Sequence, residues 1–271
     1  MADITTSPLH PSIGAEVSGV DLSRPIDAPT REALSRALAE HLALVFRDQS
    51  LTPEQYLAAA GAFGPPMRQH YSQHHMEGYP DIGMIWHRNG QRPAERWHTD
   101  HTNRQRPPAA TILYGVEIPS AGGGTSIANM RAAYAALPED ERRRLDGLRT
   151  VNSLDVDHND TRPEDFEKFG KPVVHPMVRT HPVHNSRAVY FHITKAHRID
   201  GMTPEDSRAY MEDLLARMIR PEITYHHAWR KGDVLVIDDR ATMHRAHGDY
   251  DRSQSRVLWR IIVEGDRPVF A

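Results

Sequence analysis

Trp97-His98-Thr99-Asp100 sets a His and an Asp two residues apart. In an extended segment that spacing turns both side chains to the same side, so the stretch reads as β structure carrying a paired donor set. A third residue of ligand type, His244, stands 144 positions after Asp100, in Asp238-Asp239-Arg240-Ala241-Thr242-Met243-His244-Arg245. Two imidazoles and one carboxylate on one face of a metal, with the other positions open, form the donor set of non-haem Fe(II) oxygenases. His-x-Asp alone is a weak signal. With 18 His and 36 acidic residues in the chain, chance pairs are expected. His98 and Asp100 also read as a surface ion pair at a strand end.

The C-terminal stretch adds weight. Arg256 follows His244 by twelve residues and Arg260 follows by four more. Both lie in Arg256-Val257-Leu258-Trp259-Arg260-Ile261-Ile262-Val263, which reads as a strand. In that register Arg256, Leu258 and Arg260 share one face, and Val257, Trp259 and Ile261 the other. Two arginines beside a strand core are costly unless they meet anions. A guanidinium fork is suited to gripping a carboxylate with two parallel bonds.

Composition sets bounds. A chain of 271 residues can form one large domain with a sizeable core. A net charge of −3 implies no general affinity for nucleic acid. The absence of cysteine excludes disulfides and thiolate metal sites, leaving His and carboxylate as metal ligands. Met1 to Ser12 is polar and contains proline, and no 18-residue apolar stretch exists, so neither a signal peptide nor a membrane span is expected. The expectation is a cytoplasmic protein that binds neither membrane nor nucleic acid.

Periodicity predicts helices over Thr30 to Leu44, from Thr52-Pro53-Glu54-Gln55 towards Phe63, over Asn129 to Leu137, over Pro138 to Leu145, and from Thr203-Pro204 onwards. The second opens on a capping box with proline at the first helical position. In the last, Met211, Leu214, Leu215 and Met218 share a face. Strands are predicted over Asp81 to Ile85, Ala110 to Val116, Leu148 to Ser153, Ala188 to Phe191, Asp233 to Ile237 and Arg256 to Val263. The polar run Ser153 to Pro172 is a candidate active-site lid. The pattern is mainly β with flanking helices and suits a two-sheet jelly roll.

Motifs along nearly the whole chain resemble the taurine/alkylsulfonate dioxygenase family of Fe(II)- and 2-oxoglutarate-dependent enzymes. Ile13-Gly14-Ala15-Glu16-Val17-Ser18-Gly19-Val20-Asp21-Leu22 resembles the family's opening strand, and Trp97-His98-Thr99-Asp100 its metal motif. Pro119-Ser120-Ala121-Gly122-Gly123-Gly124-Thr125 resembles its Gly-Gly-Asp-Thr turn, with Gly124 where the family has Asp. His175-Pro176, Arg179-Thr180-His181-Pro182, Asp239-Arg240, His244, Asp249-Tyr250, Arg256, Arg260 and Gly265-Asp266 complete the series in order.

The resemblance implies a double-stranded β-helix (jelly roll) spanning 1–271 as a single dioxygenase domain. It implies Fe(II) held by His98, Asp100 and His244, with 2-oxoglutarate and O2 as co-substrates. The far carboxylate of 2-oxoglutarate would meet Arg256 and the Thr125 hydroxyl, and the products would include succinate and CO2. No protein general base is required. His70 matches a family residue that binds the substrate's anionic head, and Arg260 would touch the substrate anion or the near carboxylate of 2-oxoglutarate. Lys195 stands where relatives mostly carry polar or aromatic groups, His197 would join it with His70 and Arg260 in a cationic substrate pocket, and Gln73 stands where the taurine-binding members carry Tyr. These departures turn the expectation from taurine towards another small anionic organic acid. Family members often form homo-oligomers.

Three functions are consistent with these residues. The first is hydroxylation, or cleavage by hydroxylation, of such an acid. The second is an isonitrile-forming or desaturating oxidase of natural-product biosynthesis using the same iron site. The third is a catalytically silent jelly-roll binding protein. His101 is expected behind the metal ligands or at the surface, not as a ligand, and His74, His75, His226 and His227 are expected in solvent.

Overall fold

A computed structural model of the chain describes residues 4–68, 71–86, 93–154 and 162–269. Two sheets form its centre, antiparallel throughout except that Ala15–Ser18 runs parallel to Ala43–Phe46. The larger is a nine-stranded sheet. Its order runs Thr5–Pro8, Ala15–Ser18, Ala43–Phe46, Val234–Asp238, Ala110–Glu117, Val257–Val263, Tyr79–Trp86 and His75–Met76. Pro66–Met67 also pairs with Val257–Val263. The smaller sheet consists of Thr224–His227, Thr125–Asn129 and Thr242–Ala246. This is the jelly roll; two helices pack on the outer face of the larger sheet, while Met130–Ala135 and Pro204–Met218 pack on the short strands Arg187–Val189 and Ala196–Ile199.

Period-two alternation decides what each face of the larger sheet meets. One cross-strand row reads Arg260, Leu113, Leu235, Val45. Its three apolar members join Ile127, Ala128 and Met243 of the smaller sheet in the inter-sheet core. The neighbouring row reads Trp259, Tyr114, Val234, Phe46 and faces the opposite way. Its members pack with Leu34 and Leu38 of the helix Ala28–His41 and with Tyr56 of the helix Pro53–Ala60. Tyr56 is fully buried, and its hydroxyl donates to the Ile112 carbonyl at 2.7 Å. A buried aromatic of this size contributes about 1.5–3 kcal/mol over an exposed one. The alternation also sends one cation, Arg260, to the inner face, towards the space between the sheets.

The capping box is present. Thr52 accepts from Gln55 N while the Gln55 side chain accepts from Thr52 N. The predicted last helix is observed as Pro204–Met218, capped by Thr203, with Met211, Leu214, Leu215 and Met218 buried. The helix predicted over Thr30 to Leu44 ends earlier, at His41. Leu42 takes a left-handed turn at φ 63° and donates back to the Leu38 carbonyl, and Ala43–Phe46 becomes a strand buried on both faces. Leu42 to Phe46 is a continuous apolar run, which satisfies helical and strand spacing equally. The strand expected from Arg256 begins at Val257, with a bulge between Val257 and Leu258. In the candidate lid, residues 155–161 lie outside the described residues. Beyond them Pro163–Phe169 is helical, and its buried Asp165 accepts from the Ser72 backbone and hydroxyl.

Candidate active site

His244 sits in the strand Thr242–Ala246, at the open edge of the smaller sheet. The segment carrying His98 docks on that edge through a single antiparallel bridge, His98 to His244. The chain turns immediately afterwards, so the predicted extended segment is one bridge long. Asp100 follows on the same side. His98 Nε2 lies 3.8 Å from Asp100 Oδ1, and the two imidazole rings are 4.4 Å apart. One ligand atom from each of His98, Asp100 and His244 lies within 4.8 Å of the others, and all three residues are buried.

The protonation states suit a divalent metal. Burial lowers the pKa of His98 and brings that of His244 down to about 3, so both rings are neutral near neutral pH. His98 Nδ1 donates to the Arg96 carbonyl at 2.7 Å, which leaves its Nε2 lone pair for a metal. Burial alone would raise Asp100. The charge of Arg260, 3.7 Å away, outweighs it with help from the Thr111 hydroxyl, and the carboxyl stays far below its usual range. Behind it, Thr111 Oγ1 lies 2.7 Å from both Asp100 Oδ2 and Asp239 Oδ2. A hydroxyl has one proton to give. Burial and the adjacent Asp100 charge push Asp239 well up, so its proton points to Thr111 and the Thr111 proton to Asp100. This chain orients the carboxylate, and Thr99 adds a bond to the Asp239 carbonyl.

A second cluster lies at the turn before Thr125. Arg256 is 2% exposed, and its Nε donates to the Gly123 carbonyl at 2.8 Å. Gly123 has φ +69°, and a Cβ there would sit 3.1 Å from Arg256 Cδ and Nε, so both conformation and close approach require glycine. Arg256 Nη1 and Nη2 are buried without a hydrogen-bond partner. Burial brings the guanidinium down to about 10, still fully charged near neutrality. Thr125 Oγ1 is buried and accepts from Trp229 Nε1 at 3.0 Å, which leaves its own proton to donate elsewhere. A buried charged fork with two orphaned NH2 groups fits a carboxylate such as the far one of 2-oxoglutarate.

The substrate candidates divide. Arg260 faces Asp100. Lys195 is 5% exposed and donates from Nζ to the Tyr71 hydroxyl at 3.0 Å. His197 turns instead to Ser153 Oγ at 2.6 Å, on the strand group built around Arg149–Asn152. His70 lies outside the described residues. His192 was not singled out by its sequence context, yet its ring is 4.9 Å from that of His98. Trp229, Thr111 and Tyr71 were also missed. None has a sequence signature, because each acts through a tertiary contact. Of the two places expected for His101, the surface one is excluded, since the residue is buried. The expectation that His227 is solvated is wrong. It is fully buried, with Nε2 3.2 Å from Asp233, because Thr224–His227 turns alternate residues inward. His226, next to it, is exposed and occupies the space a Cβ at Gly124 would need, 2.4 Å from its Cε1. The glycine in place of the family's Asp therefore coincides with a histidine ring.

A jelly roll with two neutral imidazoles and an ionised carboxylate converging, together with a buried arginine whose fork is free for a carboxylate, defines an Fe(II)- and 2-oxoglutarate-dependent dioxygenase. The chain belongs to the family described as Taurine catabolism dioxygenase TauD, TfdA family, whose pattern matches residues 5–262. It is 35% identical to the Alpha-ketoglutarate-dependent sulfate ester dioxygenase of Pseudomonas putida, across 98% of this chain and 91% of that one. The Alpha-ketoglutarate-dependent 2,4-dichlorophenoxyacetate dioxygenase of Cupriavidus pinatubonensis is 31% identical, across 98% and 99% of the two chains. A crystal structure of a taurine dioxygenase from Burkholderia xenovorans superposes with a TM-score of 0.86 at 37% identity, covering 98% of this chain and 91% of that one. The structure of AAD-2 in complex with Mn(II) and N-oxalylglycine gives a TM-score of 0.81 at 30% identity, covering 98% of each chain. Family membership makes the chain an enzyme, not a silent binding protein. Among the described residues no helix is long and apolar enough to cross a membrane.

Proposed function

We propose that this enzyme oxidises a small anionic organic acid, by hydroxylation or cleavage following hydroxylation, while converting 2-oxoglutarate to succinate and CO2. His98, Asp100 and His244 would hold the iron, Arg256 and Thr125 the far carboxylate of 2-oxoglutarate, and Arg260 the acid group of the substrate. Fe(II), when bound, supplies the redox chemistry that consumes O2 and 2-oxoglutarate. The chain's own part is to position and to exclude water. The Arg96 carbonyl fixes the His98 tautomer, and the Thr111 hydroxyl fixes the face of Asp100. Arg256 is held by the Gly123 carbonyl with both NH2 groups left over.

The observation that carries this reading is that orphaned pair of NH2 groups. Substrate acidity is supported by Arg260 on the inner face and by relatives named for sulfate esters and 2,4-dichlorophenoxyacetate, both anionic. A relative from Streptomyces avermitilis named Pentalenolactone F synthase, 31% identical, favours a second reading, an oxidase of natural-product biosynthesis with the same site and another outcome. The test is succinate release by the Fe(II)-loaded enzyme across a panel of carboxylates and alkyl sulfates. Stimulation by none of them overturns the substrate class, and product mass separates the two outcomes.

A further inference from the structure

Lys195 sends its amino group into the interior, where no described carboxylate meets it. Its side chain is 95% withdrawn from solvent, given 5% exposure. Its hydrogen bond runs to a neutral group, the Tyr71 hydroxyl at 3.0 Å, and the ammonium lies 5.4 Å from the same ring's centroid. Among the described residues no carboxylate pairs with it. Burying an unpaired ammonium is unfavourable, and a methionine of similar length would fill the space without that cost. A residue that breaks this rule marks a functional position.

Its place in the fold indicates what the charge is for. The backbone N–H groups of Lys195 and Ala196 both bond to the His192 carbonyl, at 3.2 and 2.9 Å, which closes a tight turn. The His192 ring in that turn lies 4.9 Å from the His98 ring. The ammonium is close enough to the metal triad for its charge to act on His98, as the charge of Arg260 does. Arg260, however, already faces a carboxylate of the triad, Asp100. Lys195 has three donors, of which Tyr71 takes one. That leaves two donors for an anion.

We infer that Lys195, held in place by Tyr71, is a subsite for a second anionic group, so that the preferred substrate is an organic acid bearing two anionic groups. This rests on the proposed oxidation of an anionic acid and narrows its substrate class. A compact ammonium recognises carboxylate, sulfate and phosphate oxygens alike, so the shared chemistry is an anionic oxygen group.

The test uses enzyme loaded with Mn(II) and saturated with N-oxalylglycine, so that diacids cannot enter the 2-oxoglutarate position. Straight-chain monocarboxylates are titrated calorimetrically against dicarboxylates of the same carbon number, and alkyl sulfates against their ω-carboxylated counterparts. A charge-assisted bond to a buried ammonium predicts a dianion preference of about ten-fold or more at the best chain length. Lys195→Met should reduce that ratio to near one. Tyr71→Phe, which keeps the ammonium but deletes the hydroxyl that holds it, should lower the ratio less than Lys195→Met does. Equal affinity for mono- and dianions in the wild type overturns the subsite while leaving the proposed reaction standing. So does a preference that survives Lys195→Met, or one lost in Tyr71→Phe alone. Binding of N-oxalylglycine with no binding of any acid overturns the substrate class itself.

Discussion

His98 and His244 exchange both of their backbone hydrogen bonds, His98 N to the His244 carbonyl at 3.0 Å and His244 N to the His98 carbonyl at 2.7 Å. The two imidazoles are thereby fixed 4.4 Å apart by main chain, although the residues are 146 positions apart in sequence. The separation of the histidines belongs to the sheet edge and does not wait for a metal. Preorganisation of this kind lowers the cost of binding.

Removing a ligand side chain should therefore remove the metal without removing the fold. His98→Ala and Asp100→Ala are expected to lose Fe(II) and Mn(II) binding and all 2-oxoglutarate turnover. Their circular dichroism should stay that of the wild type. Added Mn(II) should raise the melting temperature of the wild type, since a ligand that binds only the folded state stabilises it by mass action, and not that of the variants. A Mn(II)-dependent rise in Asp100→Ala equal to that of the wild type would remove Asp100 from the ligand set.

Arg256→Ala is expected to keep the metal and weaken 2-oxoglutarate. Truncating one partner of a buried charge-assisted pair costs on the order of 2–5 kcal/mol, or roughly 30-fold or more in affinity. Equilibrium binding of 2-oxoglutarate to the Mn(II)-loaded protein measures it. Unchanged affinity would reassign the carboxylate to another cation, with Arg260 first in line.

Trp229 reaches the same carboxylate only through Thr125. By donating to Thr125 Oγ1 it directs the threonine proton outward. Trp229→Phe keeps a large ring and deletes that donor. The loss of one neutral hydrogen bond, about 1 kcal/mol, predicts a several-fold rise in KM for 2-oxoglutarate with a smaller change in kcat. In a double-mutant cycle with Thr125→Val the two effects should fail to add. Additive effects would make Trp229 a packing residue only.

Long periodic elements were legible in the sequence and short ones were not. Pro204–Met218 announces itself by its cap and its apolar face, and Val257–Val263 by its alternation. The smaller sheet that carries His244 was invisible, because Thr242-Met243-His244-Arg245-Ala246 owes its composition to the site and not to strand propensity. The same sheet buries His227, which composition alone sends to solvent. His98, Asp100 and His244 could be singled out because ligand chemistry restricts residue type. Tyr71, Thr111, His192 and Trp229 could not, because ordinary residues become important only through whom they touch.

Acid should destabilise the metal-free protein before its carboxylates titrate. Burial lowers the pKa values of His98, His181 and His227, brings His175 to about 4 and brings His244 to about 3. In the unfolded chain each returns to about 6.5. A group whose pKa is lower in the folded state contributes stability above its unfolded pKa and loses it as pH falls through the window between the two values. Between pH 6.5 and 4 the unfolded chain therefore binds protons that His175 and His244 refuse, and the lowered values of His98, His181 and His227 act in the same direction. Asp239 acts in the opposite sense, since burial and the Asp100 charge raise its pKa. Five against one leaves the sign clear. Each proton of difference is worth about 1.4 kcal/mol per pH unit. Urea unfolding of the metal-free protein at pH 7, 6 and 5 should show stability dropping by more than that amount between pH 6 and 5. His244→Gln, which cannot titrate, should flatten the slope by up to one proton. Stability that is constant or rising on acidification would mean that these imidazoles are not neutral in the folded chain, and the metal assignment would lose its electrostatic basis.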